Sequence, residues 1–101
     1  MIVVAGHARI RADQREQAMA AATRMQQATR AEPGCRQYRY GFAVDDPGEL
    51  MVFELWADQD ALDAHFRTPH MAEFSAALPG LLDGDIDVTR YEIAASGPLF
   101  G

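Results

Sequence analysis

Apolar positions along the chain change their period several times, and the changes mark out its elements. In residues 2–10, one parity holds Ile2, Val4, Gly6, Ala8 and Ile10, and the other holds Val3, Ala5, His7 and Arg9. Alternation of this kind gives a strand with one dry face and one mixed face. Residues 13–31 switch to intervals of three and four, with Ala18, Ala21, Ala22, Met25, Ala28 and Thr29 forming one stripe among good helix formers. This predicts a helix with Asp13 as N-cap and Glu16 completing a capping box. Glu32-Pro33-Gly34 ends it. Residues 35–44 alternate again, with Tyr38, Tyr40, Phe42 and Val44 opposite Gln37, Arg39 and Gly41. Asp45-Asp46-Pro47-Gly48 has the composition of a turn, and residues 49–57 return as the second strand of a hairpin. Asp58 caps a short helix that runs to Arg67, and Thr68-Pro69 opens another that fades at Pro79-Gly80. Residues 84–93 give a last strand, Ile86 and Val88 opposite Thr89, Tyr91 and Ile93.

The order strand, helix, strand, strand, helix, strand predicts an α+β fold. It is the split β-α-β of ferredoxin-like domains, an antiparallel sheet with its helices on one face. Residues 1–93 form a single domain in this reading, and 94–101 an irregular tail. The face without helices still carries Val3, Ala5 and other apolar residues, so a homodimer packed sheet on sheet is expected.

Composition narrows the function classes. A chain of 101 residues holds one core. Fifteen acidic residues against nine basic ones leave a net charge of −6 with no basic run, which excludes nucleic acid as the expected partner. No apolar run has membrane-spanning length, and the N-terminus is apolar first and basic after, the reverse of a secretory signal. A lone Cys35 permits no internal disulfide and no multi-cysteine metal site. A cytoplasmic location fits these signals.

The candidate chemistry concentrates in residues 53–74, FELWADQDALDAHFRTPHMAEF. His65 and His70 stand five apart with the Thr68-Pro69 break between them, not at the i, i+4 spacing of helical zinc ligands, so a shared metal is not expected. Leu62, His65 and Phe66 share a helix stripe, which turns His65 toward the sheet. Packing alone accounts for such a histidine if it bonds a carbonyl or carboxylate. The functional alternative places Glu54 and Trp56 on the same sheet face, with His65 above them and Tyr38 and Tyr40 on the neighbouring strand. Gly6 leaves a gap beside them. The product is an aromatic cleft with one imidazole and one carboxylate. The imidazole takes a proton from a phenolic or enolic substrate, and Glu54 orients the ring.

The run Glu54, Trp56, Leu62, His65, Pro69, His70, Met71 and Phe74, with Pro33-Gly34-Cys35 followed by Tyr38, resembles the antibiotic biosynthesis monooxygenase family, and the TPHM segment its bacterial quinol monooxygenases. The resemblance spans almost the whole chain. It implies a dimeric α+β barrel that oxidises quinol-like or polyketide-like aromatic hydroxy compounds with O2, without flavin, haem or metal. It further implies His65 as base, Glu54 and Trp56 beside it in the catalytic set, and Tyr38, Tyr40, His70 and Phe74 against the substrate. Haem-degrading relatives carry an asparagine where Gly6 stands, so a haem role is not expected. An isomerase that shuttles protons through His65, or a ligand-binding stress-response dimer, remains open on the same fold.

Overall fold

A computed structural model describes all 101 residues. Four strands form one antiparallel sheet: β1 (Ile2–Ile10), β2 (Cys35–Ala43), β3 (Asp46–Trp56) and β4 (Leu82–Glu92). Their order across the sheet is β2-β3-β1-β4. Strand β3 thus lies between β1 and β2, which are parallel to each other, and this is the split β-α-β arrangement read from the sequence. Three helices accompany the sheet: α1 (Arg15–Thr29), α2 (Gln59–His65) and α3 (Pro69–Leu81). Residues 93–101 carry no regular element.

The helices lie over the face that carries Ile2, Val4, Tyr38, Leu50 and Trp56, all buried. Ala18, Ala21 and Met25 of α1, Leu62 of α2, and Phe74 and Leu81 of α3 complete the core. Strand β4 pairs with β1, but no residue of it is buried. On the uncovered face Val3, Ala5, Met51, Phe53, Leu55 and Tyr91 pair across three strands.

Three local expectations fail where tertiary bonds override composition. Asp13 is not the N-cap of α1. It lies in a 3-10 turn over Ala12–Gln14, and Gln14 occupies the cap position without a side-chain bond. The exit from β1 is tied elsewhere: the Arg11 amide donates to the Leu81 carbonyl at 2.9 Å, and its guanidinium donates to the Leu82 carbonyl at 2.8 Å. The hairpin turn falls on Val44-Asp45, not on the Asp-Asp-Pro-Gly run. Asp46 accepts from the Gly48 amide at 3.0 Å and pairs with Arg9 across the sheet, so the run already belongs to β3, behind a register shift at Phe42/Ala43. Gly6 opens no gap for a ligand. A Cβ there would lie 2.1 Å from the Asp87 carbonyl oxygen, so this glycine admits the backbone of β4.

Candidate active site

Local sequence signals place His65. Asp58 caps α2, accepting from the Ala61 amide at 2.8 Å, and His65 is the last residue of that helix. Thr68 then turns the chain. Its hydroxyl donates to the His65 carbonyl at 2.7 Å and accepts from the Met71 amide at 3.3 Å, while Pro69 starts α3. The corner brings the two imidazoles to 6.0 Å, centroid to centroid. His65 is only 1% exposed and lies against Trp56 at 4.9 Å and Tyr38 at 5.5 Å.

The partner of both histidines is Glu32. Its Oε2 lies 2.8 Å from His65 Nδ1 and 2.7 Å from His70 Nε2. Glu32 sits in the turn after α1, where its amide bonds the Thr29 carbonyl at 2.9 Å and its carbonyl accepts from Cys35 at 3.2 Å. Gly34 closes this turn at φ 81°, and a Cβ there would lie 2.6 Å from Ala61 Cβ, so the turn is pressed onto α2.

Glu54 does not orient His65, as its position on the sheet had implied. Its Oε1 accepts from the Trp56 indole N–H at 2.9 Å, because residues two apart on a strand face the same side and reach each other. Burial pushes the Glu54 carboxyl up to about 7, the indole bond opposes that, and the negative charge of Glu32 adds to it. The Tyr38 and Tyr40 hydroxyls stand 3.1 Å apart. Burial pushes Tyr40 up to about 12 and Tyr38 far above the ordinary phenol range. Both are therefore neutral hydroxyls at physiological pH.

These groups surround a cavity of about 170 Å³ between sheet and helices. Tyr38, Tyr40, Glu54, His65 and Phe74 line it together with apolar residues that include Val4, Leu50 and Met71. Exposed Phe66, Ile86 and Val88 also line it and place its mouth beside β4. Two of the expected site residues stand outside. Trp56 is absent from the lining and spends its N–H on Glu54. His70 faces a separate groove between α1 and α3, which Arg24, Glu73 and Phe74 also line.

Comparison with known proteins decides the family. The description "Antibiotic biosynthesis monooxygenase" belongs to the family signature that matches residues 1–77. The chain belongs to the antibiotic biosynthesis monooxygenase family. YcnE of Bacillus subtilis, which carries a provisional monooxygenase name, is 31% identical over 93% of this chain and 99% of its own length. The solved structure of Rv0793 from Mycobacterium tuberculosis superposes with a TM-score of 0.89 at 32% identity, covering 96% of this chain and 98% of that one. A solved structure from Deinococcus radiodurans reaches 0.92 at 26% identity with both chains fully covered. A monooxygenase-like role and the α+β ferredoxin-like fold follow from these matches.

For this family member, Glu32 is the residue that reading the sequence missed. Its only visible signal was its place before Pro33-Gly34, where it counts as part of a helix stop. The spacing argument against a metal shared by His65 and His70 also fails. Glu32 Oε2, His65 Nδ1 and His70 Nε2 all lie within 4.8 Å of one another, and two imidazoles with one carboxylate are a recognised ligand set for divalent transition metals. Around one ion such atoms stand roughly 3.3 Å apart. In the present arrangement, the carboxylate oxygen is instead in direct hydrogen-bond contact with both ring nitrogens. That contact leaves His65 Nε2 without a bond, and His65 lines an apolar cavity that also holds Glu54, whose carboxyl is pushed up to about 7 and so is partly protonated near neutrality. The pair can accept and donate a proton within one enclosed space.

Proposed function

We propose that the protein is a cofactor-independent monooxygenase of quinol-like aromatic hydroxy compounds. The observation that carries this reading is His65: buried, bonded through Nδ1, and lining an aromatic cavity with its other nitrogen unpartnered. His65 Nε2 takes the phenolic proton, and the resulting anion passes electrons to O2 directly. A quinol and O2 yield a hydroxylated quinone and one water. One oxygen atom enters the ring, the other leaves as water, and the four electrons come from the substrate, so no external reductant is needed. Protonated Glu54 and the tyrosine hydroxyls are the donors for oxygen anions that develop in the cavity. The volume, about 170 Å³, suits one aromatic ring, since a dry cavity of roughly 150 Å³ holds benzene. A second ring extends through the mouth beside Phe66 and Val88.

The reading includes a homodimer through the uncovered sheet face and assigns no role in nucleic-acid or membrane binding. No helix is long and apolar enough to cross a membrane.

Oxygen uptake with a reduced naphthoquinol, corrected for autoxidation, tests the proposal. Wild-type protein stripped of flavin and metal is expected to consume one O2 per quinol. His65→Ala is expected to slow turnover by about 10²- to 10⁴-fold. Full turnover by that variant would sink the role of His65. The His65 and Glu54 pair equally suits proton transfer without oxygen, so solvent deuterium entering a bound enol with no O2 uptake would favour an isomerase.

A further inference from the structure

The base role given to His65 depends on which of its nitrogens carries the proton, and the residues outside the cavity decide that. We propose that Glu32, held by His70 as a second donor, is a positioning residue that makes His65 a one-sided base. Nδ1–H is locked on the carboxylate, and the Nε2 lone pair is presented to the cavity. The catalytic consequence rests on the monooxygenase reading above. The tautomer does not.

The geometry carries the inference. One oxygen, Glu32 Oε2, lies at hydrogen-bond distance from a nitrogen of each ring, 2.8 Å and 2.7 Å. A carboxylate only accepts, so each of those nitrogens is the N–H. A neutral His65 with its proton on Nδ1 has a lone pair on Nε2. The Glu32 side chain is 11% exposed and the His65 side chain 2%, so water competes little for this bond. The other candidate orienter, Glu54, is committed to Trp56.

The fold holds both ends of the contact. Gly34 packs the Glu32 turn on α2, and Thr68 fixes the corner that carries His65 and His70. When His65 takes a proton at Nε2, the imidazolium formed is paired with a carboxylate already in place. His70, at 25% side-chain exposure, reaches the groove between α1 and α3 and anchors the carboxylate from outside. The five-residue spacing that looked wrong for a helical metal pair is the spacing that lets two rings share one oxygen across a corner.

Nitrogen-15 NMR of the histidine rings at neutral pH tests this. Wild-type His65 is expected as the Nδ1–H tautomer. Glu32→Ala is expected to move it toward Nε2–H, whereas Glu32→Gln, whose amide oxygen still accepts, keeps Nδ1–H and removes only the charge. In quinol turnover Glu32→Gln is expected to lower kcat by about 10²-fold with little change in KM, because Glu32 does not line the cavity. Glu32→Asp is expected to recover part of that loss. Wild-type His65 as Nε2–H would overturn the proposal, and so would an unchanged tautomer in folded Glu32→Ala. If Glu32→Ala does not fold, the kcat and KM split of Glu32→Gln decides. Turnover that disappears on chelation and returns with Zn²⁺ or Fe²⁺ would also overturn it, because the three groups would then be ligands. If wild-type protein turns over no quinol, the NMR result still stands or falls alone.

Discussion

At the scale of single residues, Glu54 makes the clearest thermodynamic demand. Its carboxyl is 8% exposed and rises from an ordinary 4.5 to about 7 on folding, chiefly by desolvation. Below pH 4.5 both folded and unfolded chains hold the proton. Between that pH and about 7 the unfolded chain loses it first, so stability falls as pH rises, and above about 7 the loss is complete. The full loss is about 3 kcal/mol. Glu54→Gln lacks this term. Denaturant unfolding from pH 4 to 8 is therefore expected to show the stability of the variant gaining on wild type across that window. A constant difference between the two would contradict a buried, proton-holding Glu54. Strand parity made Glu54 legible as an inward-facing carboxylate, but not its partner. A side chain two residues away competes for it, and only the distant turn at Glu32 reaches His65. Contacts of that sequence separation have no local signature.

At the scale of elements, periodicity was enough wherever one face is dry. It located the strands and α1, while the cap residues Asp58 and Thr68-Pro69 located α2 and α3. It failed at ends, where long-range bonds choose the boundary. Arg11 tied to Leu81 and Leu82 moves the start of α1, and Asp46 tied to Arg9 moves the hairpin turn. The Thr68 cap was legible, since Thr followed by Pro satisfies the first helical turn by itself. The same hydroxyl clamps the two helices to each other through the His65 carbonyl. Thr68→Ala is expected to cost about 1 kcal/mol. For a chain of this size that is a fall in Tm of roughly 4–8 °C. Thr68→Ser, which keeps the hydroxyl, is expected to restore most of it in a thermal scan, and equal losses in both variants would show that the bond is not the cause.

At the scale of the whole molecule, the isolated chain is incompletely covered. Only 16 of 101 residues are buried, a small core for a domain that leaves one entire sheet face bare. On that face Met51, Phe53 and Tyr91 are 40–50% exposed, with Val3, Ala5 and Leu55 between them. A second copy is the occupant this surface suits best, since two such faces related by a two-fold axis cover each other's apolar residues. Strand β4 offers Tyr91 to this interface, while its inner residues Ile86 and Val88 sit on the opposite face at the cavity mouth. A partner that steadies β4 would therefore steady the cavity as well. Charge supplies a second, independent handle. Each chain carries −6, so association brings like charges together, and an apolar interface should tighten as salt screens that repulsion. Sedimentation velocity is expected to find a dimer that strengthens between 50 and 500 mM salt, values spanning roughly 14 to 4 Å of screening length. Phe53→Asp, placed at the centre of the face where Ala5 and Arg39 are its strand neighbours, is expected to yield a folded monomer. A wild-type monomer at micromolar concentration, or a Phe53→Asp dimer as tight as wild type, would move the interface off this face.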